Sequence, residues 1–185
     1  MIVRLQFAMI LVTAALSLSL TAPGQAVRVG ARKVTPEVGT GTLTVTAAPS
    51  TVSFNLIPGQ VATGNSPISV TTTWSGSTVG SNMSLYGYFA SSSAALTGNV
   101  SSIAVPSSVI SGQMTTGLPS SYTPFTQTNP VGGAAASLKL FTQVVAGSGA
   151  GSRTDALGLT IDLTSLPQLP ADTYTGTLII QAQVL

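Results

Sequence analysis

Apolar and polar residues alternate with a period of two in several stretches of the chain after residue 41. The alternation runs through seven segments, which are residues 42–47, 51–56, 68–74, 83–89, 138–144, 157–163 and 178–184. Clusters of Pro, Gly and Ser separate the segments. Strands with one buried face have this period, whereas helices repeat every 3.6 residues. We therefore expect a strand at each position and no long helix in this part of the chain.

Two of these segments make specific predictions about side chains. Along residues 138–144, the alternation places Leu138, Leu140, Thr142 and Val144 on one face of a strand. Along residues 83–89, Tyr86 and Tyr88 lie opposite the apolar face, where both could be exposed to solvent.

The middle of the chain, residues 91–133, is less regular and rich in Ser, Gly and Pro. Short strands are expected at residues 100–105 and 109–114, followed by a long loop over 118–131 that carries Tyr122 and Phe125. About seven to nine strands joined by such turns predict two antiparallel sheets packed face to face, an immunoglobulin-like β-sandwich. A closed barrel is the alternative architecture.

The N-terminus has the pattern of a secretory signal peptide. Arg4 supplies a positive start and residues 7–20 form an apolar run, shorter than the ~20 residues that a membrane-spanning helix needs. Small residues near Ala26 predict cleavage after that position, with an uncleaved anchor as the alternative. The predicted organisation is a signal peptide at 1–26, a flexible polar leader at 27–40 and one domain at 41–185. This predicts a secreted, periplasmic or surface protein with no stable membrane span after cleavage.

Charge is unusually sparse, since no Asp, Glu, Lys or Arg occurs between Glu37 and Lys139. Removal of residues 1–26 would leave five basic and four acidic side chains, and they do not cluster into the basic face that nucleic-acid binding requires. The chain contains no Cys and therefore no disulfide. We expect no nucleic-acid partner.

The residue inventory also argues against an enzyme. Without His or Cys, the chain cannot assemble a Ser-His-Asp triad, a Cys-His dyad or an ordinary zinc site. Glycosidases need two facing carboxylates, but the odd spacing of Asp155 and Asp162 directs them to opposite faces of one strand. We interpret Arg153 and Asp155 as a surface pair at a hairpin. The prediction is a non-catalytic protein without cofactor or metal.

The C-terminal segment LPADTYTGTLIIQAQ, residues 169–183, resembles the entry to the final strand in secreted bacterial β-sandwich proteins, including spore coat protein U-like and pilin-like subunits. The segments STVSFNLIPG and SPISVTTTW are similar to the way those families open, although this chain lacks their cysteines. Tyr174, with Asp172 and Gly176 beside it, resembles a tyrosine corner, in which the hydroxyl bonds a nearby backbone group.

The resemblance implies a structural or surface-assembly role with self-association or related subunits as partners. In such systems an extended segment of one subunit completes the sheet of the next. Residues 27–47 could be that segment, with Leu43, Val45 and Ala47 as the donor strand; alternatively, these three residues belong to the first strand of their own sandwich.

Glycan binding or adhesion is the alternative function. Sugar sites in sandwiches use exposed aromatic side chains, and four residues could supply a platform: Tyr86, Tyr88, Tyr122 and Trp74. The competing interpretation places Trp74 and Phe89 in the core and the tyrosines over a second sheet.

Overall fold

The computed structural model describes residues 3–11, 42–75, 81–145 and 150–184. The predicted leader and the cleavage position after Ala26 lie outside these residues. The described chain is all-β, as the alternation predicts, and its one helical element is a 3-10 turn at Ser107–Val109. Within this part, no helix combines the length and the apolar character needed to cross a membrane.

In chain order the strands are β1 (Val3–Leu11), β2 (Thr42–Ala48), β3 (Ser53–Leu56), β4 (Val61–Thr63), β5 (Ile68–Ser75), β6 (Ser81–Tyr88), β7 (Leu96–Gly98), β8 (Ala104–Val105), β9 (Ile110–Met114), β10 (Thr123–Pro124), β11 (Ser137–Val145), β12 (Gly151–Asp162) and β13 (Tyr174–Val184). The described residues therefore hold more strands than the expected seven to nine. Most of the excess consists of the two- and three-residue strands β4, β7, β8 and β10, which are too short to show a period.

The strands form two sheets that pack as a β-sandwich. The larger sheet has the order β11-β6-β13-β1-β3, with β7 on β13 and β8 on β7. The smaller sheet has the order β10-β9-β12-β5-β2, with β4 on β12. All strand pairs are antiparallel except that of β1 with β13, which is parallel.

The core lies between the sheets and includes many of the residues that the alternation placed inward. From β12 it takes Leu157, Leu159 and Ile161, each at most 3% exposed. Phe89 and Phe125 meet edge to face, with 5.2 Å between ring centroids. Phe125 comes from the predicted long loop, which is otherwise irregular except for β10.

The predicted face of residues 138–144 is wrong beyond Leu140. A β-bulge between Lys139 and Phe141 shifts the register against β6, so Leu138, Leu140 and Phe141 are all buried. Thr142 is consequently exposed, as is Val144 at 62%. The extra residue of a bulge reverses the alternation of the strand that follows it.

Candidate functional site

The most unusual feature of the larger sheet is its inner strand β1, which lies next to the edge strand β3. β1 lies between β13 and β3. Its residues Gln6 to Leu11 pair with Thr175 to Ile180 of β13. Its residues Val3 to Gln6 pair in the opposite direction with Leu56 to Ser53 of β3. Among the described strands, β3 has no other ladder partner than β1. β1 therefore connects β3, with its buried Phe54 and Leu56, to the rest of the sheet.

β1 falls inside the segment that the sequence predicts to be a signal peptide. This strand was not predicted, because a positive start followed by an apolar run matches the pattern of a signal peptide. A signal was present, since Val3, Leu5 and Phe7 alternate with Arg4 and Gln6. We call the position of β1 between β13 and β3 the strand slot.

The predicted donor residues lie elsewhere. Leu43, Val45 and Ala47 belong to β2, which pairs with β5 of the same chain over Thr42 to Ala48. Val45 is 3% exposed, and Leu43 and Ala47 pack partly buried against the core. β2 is the outermost strand of the smaller sheet, with β5 as its only ladder partner in the described chain.

Tyr174 has the contacts of a tyrosine corner. Its side chain is fully buried at the start of β13, and its hydroxyl donates to the carbonyl oxygen of Pro170 at 3.1 Å. Burial raises the pKa of the phenol above its ordinary value. The hydroxyl therefore stays protonated and able to donate at all ordinary pH values.

Asp172 organises the turn that follows β7. Its carboxylate accepts hydrogen bonds from the backbone N–H of Ser101 at 2.7 Å and of Val100 at 3.0 Å, and from the Ser101 hydroxyl at 2.7 Å. The N–H of Thr173 donates at 2.6 Å. These donors, those of Ser101 above all, lower the pKa of Asp172 from 3.8 to about 2.

Gly176 is the third residue of this corner. A Cβ atom there would collide with the carbonyl oxygen of Ala95 and with the Leu96 side chain. The glycine thus allows β13 to pass close to the segment leading into β7, beside the pairing of Thr175 with Thr97. The three corner residues form one structural unit at the end of the sandwich.

The structure does not bring the four predicted platform aromatics together. Tyr86 and Tyr88 lie on the larger sheet, but Tyr86 is only 3% exposed and therefore cannot belong to an exposed platform. Tyr88 is half-buried, with its hydroxyl donating to Gln181 at 3.0 Å. Trp74 is half-buried on β5, against Gly151 of the smaller sheet. Tyr122 is exposed at 44%.

Tyr122 borders a shallow groove on the outer side of the smaller sheet. The groove has a volume of about 230 Å³, and its polar rim consists of Thr63, Ser66, Gln113 and Thr115. Gly158 contributes to its wall, and a Cβ atom at that position would lie 3.1 Å from the Tyr122 hydroxyl. The sequence identified the aromatic residue but not its neighbours, which come from three other segments of the chain.

Arg153 and Asp155 are not the surface pair that the sequence predicts. The Asp155 side chain is 2% exposed and the Arg153 side chain 27%, and the guanidinium Nε lies 2.5 Å from the carboxylate. The Thr116 hydroxyl also donates to Asp155, and the Arg153 guanidinium lies 4.5 Å from the centre of the Phe141 ring. Both side chains point inward because they share the phase of Leu157. The pair therefore joins β12 to the turn after β9 and to β11.

The described residues contain no group of three or more metal-ligating side chains. Asp162, the other carboxylate of β12, is exposed and accepts hydrogen bonds from Thr164, which lower its pKa below the ordinary value. Asp155 and Asp162 thus lie on opposite faces of the strand, as their odd spacing predicts.

Comparison of the chain with family models, with curated proteins and with solved structures finds no match.

Proposed function

We propose that this chain is a non-catalytic structural subunit that assembles with further copies of itself outside the cytoplasm. The observation that carries the proposal is the origin of β1. If export removes residues 1–26, the strand slot loses its occupant while β3 and β13 keep their unpaired edges. Another strand then has to enter the slot to restore the ladder.

The leader of a neighbouring copy is the segment that suits this role. β2 is engaged with β5 in its own sheet, whereas residues 27–40 precede it in the sequence. Val27, Val29 and Ala31 alternate with Arg28 and Gly30, the period that a strand with one buried face requires. In this arrangement, each subunit completes the next one.

The first test compares two versions of the protein, residues 27–185 and residues 41–185, by light scattering across concentration. The version with the leader should form oligomers that grow with concentration. The shorter version should not form them, because it has an open slot but no donor segment. A synthetic peptide of residues 2–12 should occupy the slot, stabilise the shorter version and convert oligomers of the longer one to monomers.

A matched peptide carrying Phe7→Pro and Ala8→Pro is the control. It loses two adjacent N–H donors and should neither bind nor dissociate the oligomers. The assembly proposal fails if residues 27–185 remain monomeric at every concentration and the unmodified peptide leaves their thermal stability unchanged.

A further inference from the structure

The groove beside Tyr122 has the chemistry of a sugar subsite. Among its lining residues it combines one exposed aromatic ring with hydroxyl and amide groups, and none of these residues is charged. Sites for small polar ligands commonly have this composition, an apolar surface with a few polar groups that fix orientation. From this we propose that the groove binds one ring of an uncharged polysaccharide.

Most hydroxyl groups around the groove have capacity left for a ligand, although that of Thr115 donates to the carbonyl oxygen of Ala156. Within the described chain, the hydroxyls of Thr63, Ser66 and Tyr122 make no hydrogen bond to protein atoms. By contrast, the Gln113 side-chain amide donates to the carbonyl oxygen of Ser120 at 2.7 Å and so fixes the loop that carries Tyr122. The loop that carries the ring is therefore anchored, while the hydroxyls of Thr63, Ser66 and Tyr122 stay available for sugar hydroxyl groups.

The aromatic ring supplies the apolar contact. One face of a pyranose ring presents C–H groups, which pack against an aromatic ring, while its hydroxyls point to the rim. Gly158 keeps the space beneath the Tyr122 hydroxyl open, since a Cβ atom there would crowd the phenol at 3.1 Å. The groove volume of about 230 Å³ has room for about one such ring.

The charges of the protein favour a neutral sugar over an acidic one. Arg153 is engaged with Asp155 and with the carbonyl oxygen of Thr116. Lys139 lies on β11 of the opposite sheet. Within the part of the chain that the structure describes, no Lys or Arg lines the groove, so a carboxylated sugar there would lose hydration without gaining a cation from these residues.

The test is affinity electrophoresis of the full chain in native gels that contain dextran, mannan or galactan, with alginate and polygalacturonate as the anionic counterparts. At least one neutral polysaccharide should retard the protein, and neither anionic one should do so. Tyr122→Ala should weaken the affinity about tenfold, the equivalent of about 1.4 kcal/mol, whereas Tyr122→Phe should stay within about twofold because it keeps the ring.

Two further variants separate the site from the fold. Gly158→Ala should weaken binding less than Tyr122→Ala, because the added Cβ atom would lie 3.1 Å from the Tyr122 hydroxyl and push the phenol slightly aside. Leu118→Ala is the matched control, because Leu118 is 71% exposed in the same loop and does not line the groove. Circular dichroism of each variant checks the fold. Equal retardation of Tyr122→Ala and the unmodified chain, binding to anionic gels alone, or no retardation by any neutral polysaccharide would overturn the proposal.

Discussion

The Asp172 carboxylate links two segments that are far apart in the chain, because it accepts hydrogen bonds from donors in both. Val100, Ser101 and Thr173 all donate to it, so the charged form is favoured in the folded state. Its pKa of about 2 lies below the ordinary 3.8, which it regains on unfolding. Its contribution to stability is therefore complete above pH ~4 and declines as the pH falls toward 2.

The corresponding prediction concerns Asp172→Asn. This variant should be less stable than the unmodified chain at neutral pH, and the difference should shrink as the pH falls from about 4 to about 2, where the native carboxylate also becomes protonated. Urea unfolding at several pH values measures it. Asp162→Asn is the matched control, since only Thr164 donates to that side chain, and its effect should be smaller. A pH-independent difference for Asp172→Asn would contradict this account.

The residues around Tyr174 and Asp155 show which side-chain contacts a sequence can reveal. The Tyr174 hydroxyl bonds Pro170, four residues away, so a short motif contains both partners. Asp155 is satisfied in part by Thr116, from a turn 39 residues earlier in the chain. The sequence around Asp155 does not indicate that Thr116 is its partner. Without a known partner, a charged residue at that position is interpreted as exposed.

At the scale of the element, β2 is the strand whose role the sequence left open. It could be a donor to another copy or the first strand of its own sandwich. In the structure, Val45 is buried beneath the smaller sheet, while the neighbouring Thr44 and Thr46 are exposed. A strand engaged in this way contributes to the stability of its own domain.

We therefore predict that Val45→Ala in the full chain lowers the free energy of unfolding by about 1–3 kcal/mol, because it removes buried methyl groups from the core. Thr44→Ala, one residue away on the exposed face, should change it by no more than about 0.5 kcal/mol. Chemical denaturation measures both. Equal effects of the two substitutions would mean that β2 is not packed on its own core in solution.

The strand β11 shows why the presence of a strand is easier to predict than which of its side chains face the core. Its existence follows from the alternation, but Leu140 and Phe141 are adjacent apolar residues that are compatible with either phase. Pairing with β6 selects the bulge that buries both. The bulge and Lys139 also make this outer strand a poor template for further pairing, whereas β2 has neither a bulge nor a charge.

At the scale of the whole molecule, the all-β class and the two sheets follow from the period of two, but the strand order does not. β1 pairs with β13 from the opposite end of the chain, and β2 pairs with β5 across two intervening strands. Such pairings depend on which edges remain open after the other strands have packed. The strand slot is the result of this non-local selection and could not be inferred from the local pattern.

Because charged residues are scarce, we predict that assembly through the strand slot depends little on salt concentration. Residues 27–185 carry nine formal charges of mixed sign, namely Arg28, Arg32, Lys33, Glu37, Lys139, Arg153, Asp155, Asp162 and Asp172. Ladder hydrogen bonds and apolar side chains would then supply most of the association free energy, and salt screens neither strongly. We expect the association constant to change by less than about threefold between ~0.05 and ~0.5 M NaCl.

Light scattering across a series of NaCl concentrations measures the association constant. Sodium sulfate serves as a comparison salt, because the direction of its effect on apolar burial is known. Sulfate strengthens the burial of apolar surface, so it should shift the equilibrium toward larger oligomers at concentrations where NaCl has little effect. Substituting Arg28, Arg32 and Lys33 by Gln should leave the NaCl response unchanged. The association constant could instead fall steeply with NaCl in the unmodified protein and not in the substituted one. That result would mean that the cations of the leader, and not its apolar residues, hold the subunits together.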